Sequence, residues 1–442
     1  MTTGAGGSVL RVGLEHEFQV HADGRAVDFR DVIHELGLGQ PNLDPSDFHA
    51  YHLPSGAALI ADGAEAEIAL PPIAIRPGFT DELVVRAEFE RQALATRLPG
   101  FRFEGGSTHL SVSVRDDLTE AICRLYAVTF SPALMLLMDR RDSPGLLIRP
   151  RPGRVELGGE YLVGSQLAVA AAFAVGSVRA CEIALGTEDG GAPMPTRLAA
   201  RVEPAVVRYG WYVDRTAFGG DLYLERRSAR LRSTDGVRLS AQQVLESCWE
   251  VARAALHGMV EPDEVALVDG VIGGTQPLPS ERVMANESPL PVSTDALDPT
   301  PYGAALTARE RPLFSLAPVM LTWDLAVFLI LRRAGGRRAF AAVPGAQLGP
   351  FLERLDEGSL DDEIDAYLRQ PPAERVLRER AEVSALTLAD RIGPRLGLLA
   401  PEFNRNGVAR AAAVSPRRPS AWQGVIADWG LARLGLGGRA RA

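Results

Sequence analysis

The chain has 442 residues, 46% hydrophobic and 23% charged, a normal globular mixture with enough apolar material for a large core. A formal net charge of -9 and a pI near 5.5 argue against a general polyanion-binding surface, so no nucleic acid partner is expected. All 47 residues counted as Lys+Arg are arginine, which excludes Schiff-base and pyridoxal enzymes and any phosphate loop ending in Gly-Lys-Ser/Thr, because each needs a lysine amine.

The first expected element is a strand through "VGLEHEFQV" at 12–20. Leu10, Val12, Leu14, His16, Phe18 and Val20 alternate with Arg11, Gly13, Glu15, Glu17 and Gln19, the period of two of a strand. Glu15 and Glu17 therefore share the polar face. At 61–70, Ala64, Ala66, Ile68 and Leu70 alternate with Glu65, Glu67 and Ala69, and Pro71-Pro72 ends the strand. A helix is expected over 81–97, capped by Thr80 and closed by Pro99-Gly100. "GGSTHLSVSV" at 105–114 returns to strand period, with Leu110, Val112 and Val114 on one side and His109, Ser111 and Ser113 on the other.

A helical stretch of about 20 residues is expected from residue 117. It leads to a fourth polar-faced strand, in which Arg154, Glu156 and Gly158 alternate with Val155, Leu157 and Gly159. Helices are expected at 165–185 and, after a Ser240–Gln243 capping box, at 241–258. Between them "RYGWYVDRTAFGGDLYLERR" reads as a Gly-rich loop bounded by strands. Residues 261–312 are rich in Pro, Gly, Ser and Asp and read as a long connection, and 313–335 and 359–393 read as helices. The expected organisation is a core at 1–260, the connection at 261–312, a helical region packed on the core at 313–404, and a weakly ordered tail at 405–442. That tail carries seven arginines against Asp428 alone.

Cys123, Cys181 and Cys248 have no paired spacing and lie in apolar helical contexts, where cysteine packs as a small hydrophobe. A reducing cytoplasm is the expected compartment. The most apolar segments, 167–178 and 316–331, are too short or interrupted by Asp324, so no membrane span is expected. Exposed sheet edges and the arginine-rich tail favour a homodimer.

Four strands thus turn carboxylates or an imidazole to one kind of face: Glu15 and Glu17, Glu65 and Glu67, His109, and Glu156. A single Glu-x-Glu on a strand is usually a solvated outer face. Four such strands in one chain point elsewhere. Grouped carboxylates raise one another's pKa, and hard divalent cations bound through oxygen, with one histidine admitted, relieve that cost. Mg2+ or Mn2+ is the expected ion. His16, His21, His34, His49, His52 and His257 carry no such pattern and read as structural.

The segments "GLEHEF", "DGAEAEIALPP", "GGSTHLSVSV" and "RVELGGEY", in this order and spacing, resemble the glutamate-cysteine ligase type 2 branch of the glutamine synthetase superfamily of carboxylate-amine ligases. The resemblance covers residues 9–165. It implies an α+β fold, a glutamine synthetase-like antiparallel sheet funnel covered by helices with a helical C-terminal region, whose acidic strands hold Mg2+ between ATP and an acidic substrate. By motif, Glu15 and Glu17 match the first metal ligands, Glu67 the ligand before the strand-ending proline, His109 the histidine at metal or phosphate, and Glu156 the late metal ligand. Glu65 and Asp62 match less closely.

The family's late motif reads Glu-x-Arg, the arginine touching the transferred phosphate, and here Gly158 stands in that arginine's position. Arg149, Arg151 or Arg154 then has to reach in, with Arg208 and Arg215 as further phosphate-binding candidates, since guanidinium groups bind phosphate oxygens in a fork. The implied activity is an ATP-dependent ligase that joins a small carboxylate to an amine through an acyl phosphate, with Glu15, Glu67 and Arg154 as catalytic candidates. Phosphoryl transfer needs positioning and charge neutralisation more than a covalent protein group, so the missing lysine is no obstacle. Two alternatives stay open: an amide hydrolase on the same fold, or a nucleotide- and metal-binding module without turnover.

Overall fold

The computed structural model describes residues 10–36, 49–186, 200, 202–233, 235–281, 297, 299–322, 325–335, 338–369 and 376–377. The tail at 405–442 and the part of the expected C-terminal helix beyond 377 lie outside the described residues. The chain divides into two compact units, Met1–Asp28 with Glu65–Leu297, and Phe29–Ala64 with Asp298–Ala442.

The first unit is an antiparallel sheet with helices on one face, the α+β arrangement expected from the sequence. Its strands are β1 (Arg11–Ala22), β2 (Glu65–Ala69), β3 (Phe101–Ser113), β4 (Gly145–Arg151), β5 (Arg154–Glu160), β6 (Ala205–Val207) and β7 (Gly210–Asp214). They lie in the order β6-β7-β4-β5-β3-β1-β2, each neighbouring pair antiparallel. Alternation sends Val12, Leu14, Phe18, Leu110, Val112, Ile148, Val155 and Leu157 to one side, where all are buried. His16 belongs to this apolar layer, its ring centroid 4.7 Å from that of Tyr161. Burial pushes its pKa down to about 3, so it is a neutral core residue.

The helices are α1 (Phe79–Arg97), α2 (Thr119–Thr129), α3 (Ser131–Met138), α4 (Gly164–Gly186), α5 (Ala241–Ala255) and α6 (Pro262–Ile272). α4 is the hub and packs against the other five and against β3. By length and composition it would suit a membrane span, but 83% of its apolar window is buried inside the protein, as the core helix of a bundle would be. Cys123, Cys181 and Cys248 are free and buried among these helices. The Ser240–Gln243 capping box forms as the sequence implies.

Three expectations change in this unit. The single helix from residue 117 is two, bent by 76° at Phe130, where Pro132 begins a new helix. Thr80 does not cap α1: it lies inside the helix, and its hydroxyl donates to Glu264 Oε1 at 2.5 Å. The amides of Gly78 and Thr80 donate to Glu264 as well, at 2.9 and 3.0 Å, so the cap comes from a distant glutamate on α6. α6 itself stands inside the stretch read as a Pro/Gly-rich connection.

In the second unit, β8 (Phe314–Leu321), β9 (Leu325–Arg332) and β10 (Arg338–Pro344) form an antiparallel sheet, followed by α7 (Leu348–Asp356) and α8 (Asp361–Arg369). The helix expected over 313–335 is therefore two strands, and only 361–369 of the helix expected over 359–393 is described as helical. Every residue of β8 and the first six of β9 are buried, so neither strand has a polar face and the period of two disappears. Phe314, Phe328, Phe351, Leu355 and Ile364 pack together as this unit's core.

Candidate functional site

The face of the first unit's sheet opposite the helices carries the acidic side chains. Register lines them up. Across β1 and β2, Glu17 is directly opposite Glu67 and Glu15 opposite Ala69. Across β1 and β3, Glu15 is opposite His109 and Glu17 opposite Ser107. Across β3 and β5, His109 is opposite Gly158 and Ser111 opposite Glu156, and across β5 and β4, Glu156 is opposite Arg149. Directly opposed residues share a face, so Glu15, Glu17, Glu67, Ser107, His109, Ser111, Glu156, Gly158 and Arg149 form one polar surface. Glu65, two residues before Glu67, joins it and hangs over Gly106 of β3.

His109 is the centre. Its Nδ1 lies 3.5 Å from Glu15 Oε2, 3.7 Å from Glu17 Oε1, 3.8 Å from Glu156 Oε1 and 3.2 Å from Arg149 Nη2. Burial pushes the imidazole down, and the hydrogen bond to Glu15 with the charges of Glu17 and Glu15 overcomes this, leaving His109 more basic than an ordinary histidine. Burial pushes Glu15 up in turn, and its bond to His109 with the charges of His109, Arg154 and Arg149 holds it below its ordinary value. Ser107 donates its hydroxyl to Glu17 Oε2 at 2.5 Å.

Glu156 is the most deeply buried of the acids, 1% exposed. One of its oxygens pairs with Arg149 Nη2, and the other accepts from Arg151 Nε at 2.5 Å. The expected late metal ligand is thus forked between two guanidinium groups. Arg154 faces Arg151 and Ser113 across the strands, and its charge acts on Glu15. Arg149, Arg151 and Arg154 therefore all reach the acidic face.

Arg208 and Arg215 have other partners. Arg208 is exposed at the β6–β7 turn, its guanidinium 5.0 Å from the Tyr209 ring centroid. Arg215 forks onto Asp221 at 2.8 Å through two nitrogens and donates to the Ser143 carbonyl at 3.0 Å, so a phosphate would have to compete with Asp221 for it. Among the described contacts neither arginine meets the carboxylates. Asp62 ends a strand of the second unit and is exposed.

Two sets of side-chain atoms have the spacing of cation ligands: the carboxylate oxygens of Glu15 and Glu156 with a ring nitrogen of His109, within 4.8 Å of one another, and the carboxylate oxygens of Glu17 and Glu67 within the same limit. Gly158 has a steric reason. A Cβ there would stand 2.9 Å from His109 Cδ2 and 3.2 Å from Nε2, because that edge of the imidazole lies against the glycine. Gly158→Ala is accordingly expected to displace the imidazole from its place over β5 and so to alter the His109 titration, as read by NMR pH titration of the ring. An unchanged titration would mean that the ring does not depend on this gap.

Sequence reading overlooked Ser107, which sits one alternation step before His109 and so shares its face. It also left open which arginine meets Glu156, although the turn Pro152-Gly153 between β4 and β5 already implies it. Gly153 takes φ 66, the residues flanking the turn, Arg151 and Arg154, pair, and two steps back along each strand Arg149 meets Glu156.

No family model and no curated protein matches the sequence. Among solved structures the chain is similar to the complex between the prokaryotic ubiquitin-like protein Pup and its ligase PafA, with TM-score 0.39 and 11% identity, covering 60% of this chain and 64% of that one. It is also similar to the Pup ligase PafA in complex with ADP, with TM-score 0.34 and 13% identity, covering 55% and 61%. The chain spans less than two thirds of the length of either.

Proposed function

We propose that the acidic sheet face is the active site of an ATP-dependent ligase that joins a carboxylate to an amine, with the glutamine synthetase-like fold that the motifs imply. One observation carries this reading: strand register brings five glutamates, one histidine and three arginines, taken from five different strands, onto a single surface. Such a surface mixes what phosphoryl transfer requires, oxygen ligands for a cation and guanidinium groups for phosphate. The finer assignment to the glutamate-cysteine ligase branch, with a small amino-acid-like carboxylate, rests on the motif resemblance.

The donor set fits a hard divalent ion, Mg2+ or Mn2+, because Glu17 and Glu67 offer carboxylate oxygens within 4.8 Å, with Glu65 on the same strand. When bound, such an ion neutralises phosphate charge. Arg149, Arg151 and Arg154 orient the phosphate chain from the other end of the face. In the proposed reaction the substrate carboxylate attacks the γ-phosphorus of ATP, releasing ADP and forming an acyl phosphate. The amine nitrogen then attacks the acyl carbon, phosphate leaves, and the amine proton passes to a carboxylate of the face, for which Glu15 and Glu67 are the candidates. His109, held between Glu15 and Glu17, positions Glu15 and adds positive charge.

The test is phosphate release by the full chain with ATP, Mg2+ and a panel of amino-acid carboxylates and amines. Release that requires all of these together is the expected result. ATP binding with no turnover across the panel would instead identify a binding module, and amide cleavage without ATP consumption would identify a hydrolase.

A further inference from the structure

We infer that Arg149 is a built-in cation standing in for one of the metal ions that the motif resemblance implies, so that the acidic face takes a divalent ion at its Glu17–Glu67 end and not between Glu15, His109 and Glu156. The inference rests on the reading of this face as a metal-dependent nucleotide site, and it concerns how many ions that site holds.

The ligand atoms of Glu15, His109 and Glu156 converge within 4.8 Å, the spacing of a cation site. A cation is already there. Arg149 Nη2 lies 3.2 Å from His109 Nδ1 and pairs with Glu156, two of the three contacts a central ion would make. Arg151 holds the second oxygen of Glu156. Each oxygen of that carboxylate thus has a guanidinium beside it, Arg149 as an ion pair on one and Arg151 as a hydrogen-bond donor on the other. A divalent ion entering here would have to expel Arg149 from a nearly water-free contact or lie beside its positive charge. At the other end of the face, Glu17 meets the neutral hydroxyl of Ser107 and the edge of His109, with Glu67 directly across the strand pair.

The placement of Arg149 follows from sequence. The Pro152-Gly153 turn sets Arg149 opposite Glu156, and Gly158, opposite His109, leaves the space in which the imidazole lies against the sheet. Where the Glu-x-Arg motif carries its positive charge two residues after the glutamate, this chain has Arg149 on the neighbouring strand, paired with that glutamate between the three ligand atoms.

The experiment is a Mn2+ titration of the full chain, followed by electron paramagnetic resonance of free Mn2+, for the natural sequence, Arg149→Gln and Glu156→Gln, with circular dichroism to establish folding. The expected result is one Mn2+ bound by the natural chain, one more by Arg149→Gln, and no change for Glu156→Gln. Loss of an ion in Glu156→Gln, or no gain in a folded Arg149→Gln, would overturn the inference. If Arg149→Gln does not fold, the Glu156→Gln count decides alone. The ion count does not depend on turnover, so failure of the ligase reading in the phosphate-release assay leaves this result separately legible.

Discussion

Replacing Glu67 by glutamine is expected to abolish Mg2+-dependent binding of a non-hydrolysable ATP analogue while leaving the melting temperature unchanged or raised. Glu67 is buried, 9% exposed, and sits directly opposite Glu17, with carboxylate oxygens within 4.8 Å. Like charges this close repel, so neutralising one lowers that repulsion in the folded state. Ligand binding responds in the opposite sense. A hard divalent ion gains its affinity from anionic oxygens, and loss of even an outer partner of a ligand typically costs roughly 10- to 100-fold, so loss of the ligand itself should exceed that range. Isothermal titration calorimetry with and without Mg2+ measures the first effect and a thermal melt the second. Unchanged Mg2+-dependent affinity in a folded variant would remove Glu67 from the metal site, and a large loss of stability would recast it as a structural residue.

The acidic face was legible in the sequence because it is written in a local code. Glu15 and Glu17 alternate with buried Val12, Leu14 and Phe18, and a period of two assigns faces without knowledge of partners. What the code does not contain is which strand lies beside which. That Glu156 ends in a fork of arginines, and that His109 covers Gly158, are facts of register between separate strands. The departure at Gly158 was visible as a missing arginine, but its reason is the volume of an imidazole from β3. Non-local partners also account for the cap of α1, where Glu264 lies far along the chain from Thr80. The strands at 314–321 and 325–332 were hidden for a different reason. With both faces buried they read as one apolar run, and such a run does not distinguish a strand from a buried helix.

Arg149→Ala is expected to lower kcat for ATP-dependent phosphate release by about 1,000-fold, near 4 kcal/mol of transition-state stabilisation, with a much smaller change in KM for ATP. Arg149 is only 17% exposed, and its Nε is buried with no hydrogen-bond partner in the protein. A guanidinium carries five N–H donors, and a buried donor left over after Glu156 is served is costly unless a ligand takes it. The transferred phosphate is the group whose negative charge spreads during the reaction, so a preorganised donor acts on the transition state more than on bound ATP. Arg149→Lys separates charge from shape. It retains a cation beside Glu156 but loses the fork, and is expected to recover less than a tenth of the lost rate. Removing one member of a buried ion pair commonly costs about 3–5 kcal/mol of stability, and the cost here should fall below that because Arg151 remains on the second oxygen of Glu156. A melting curve therefore accompanies the kinetics. If Arg149→Ala folds and turns over within a few-fold of the natural chain, the phosphate contact belongs to Arg151 or Arg154, and Arg149 serves only to hold Glu156.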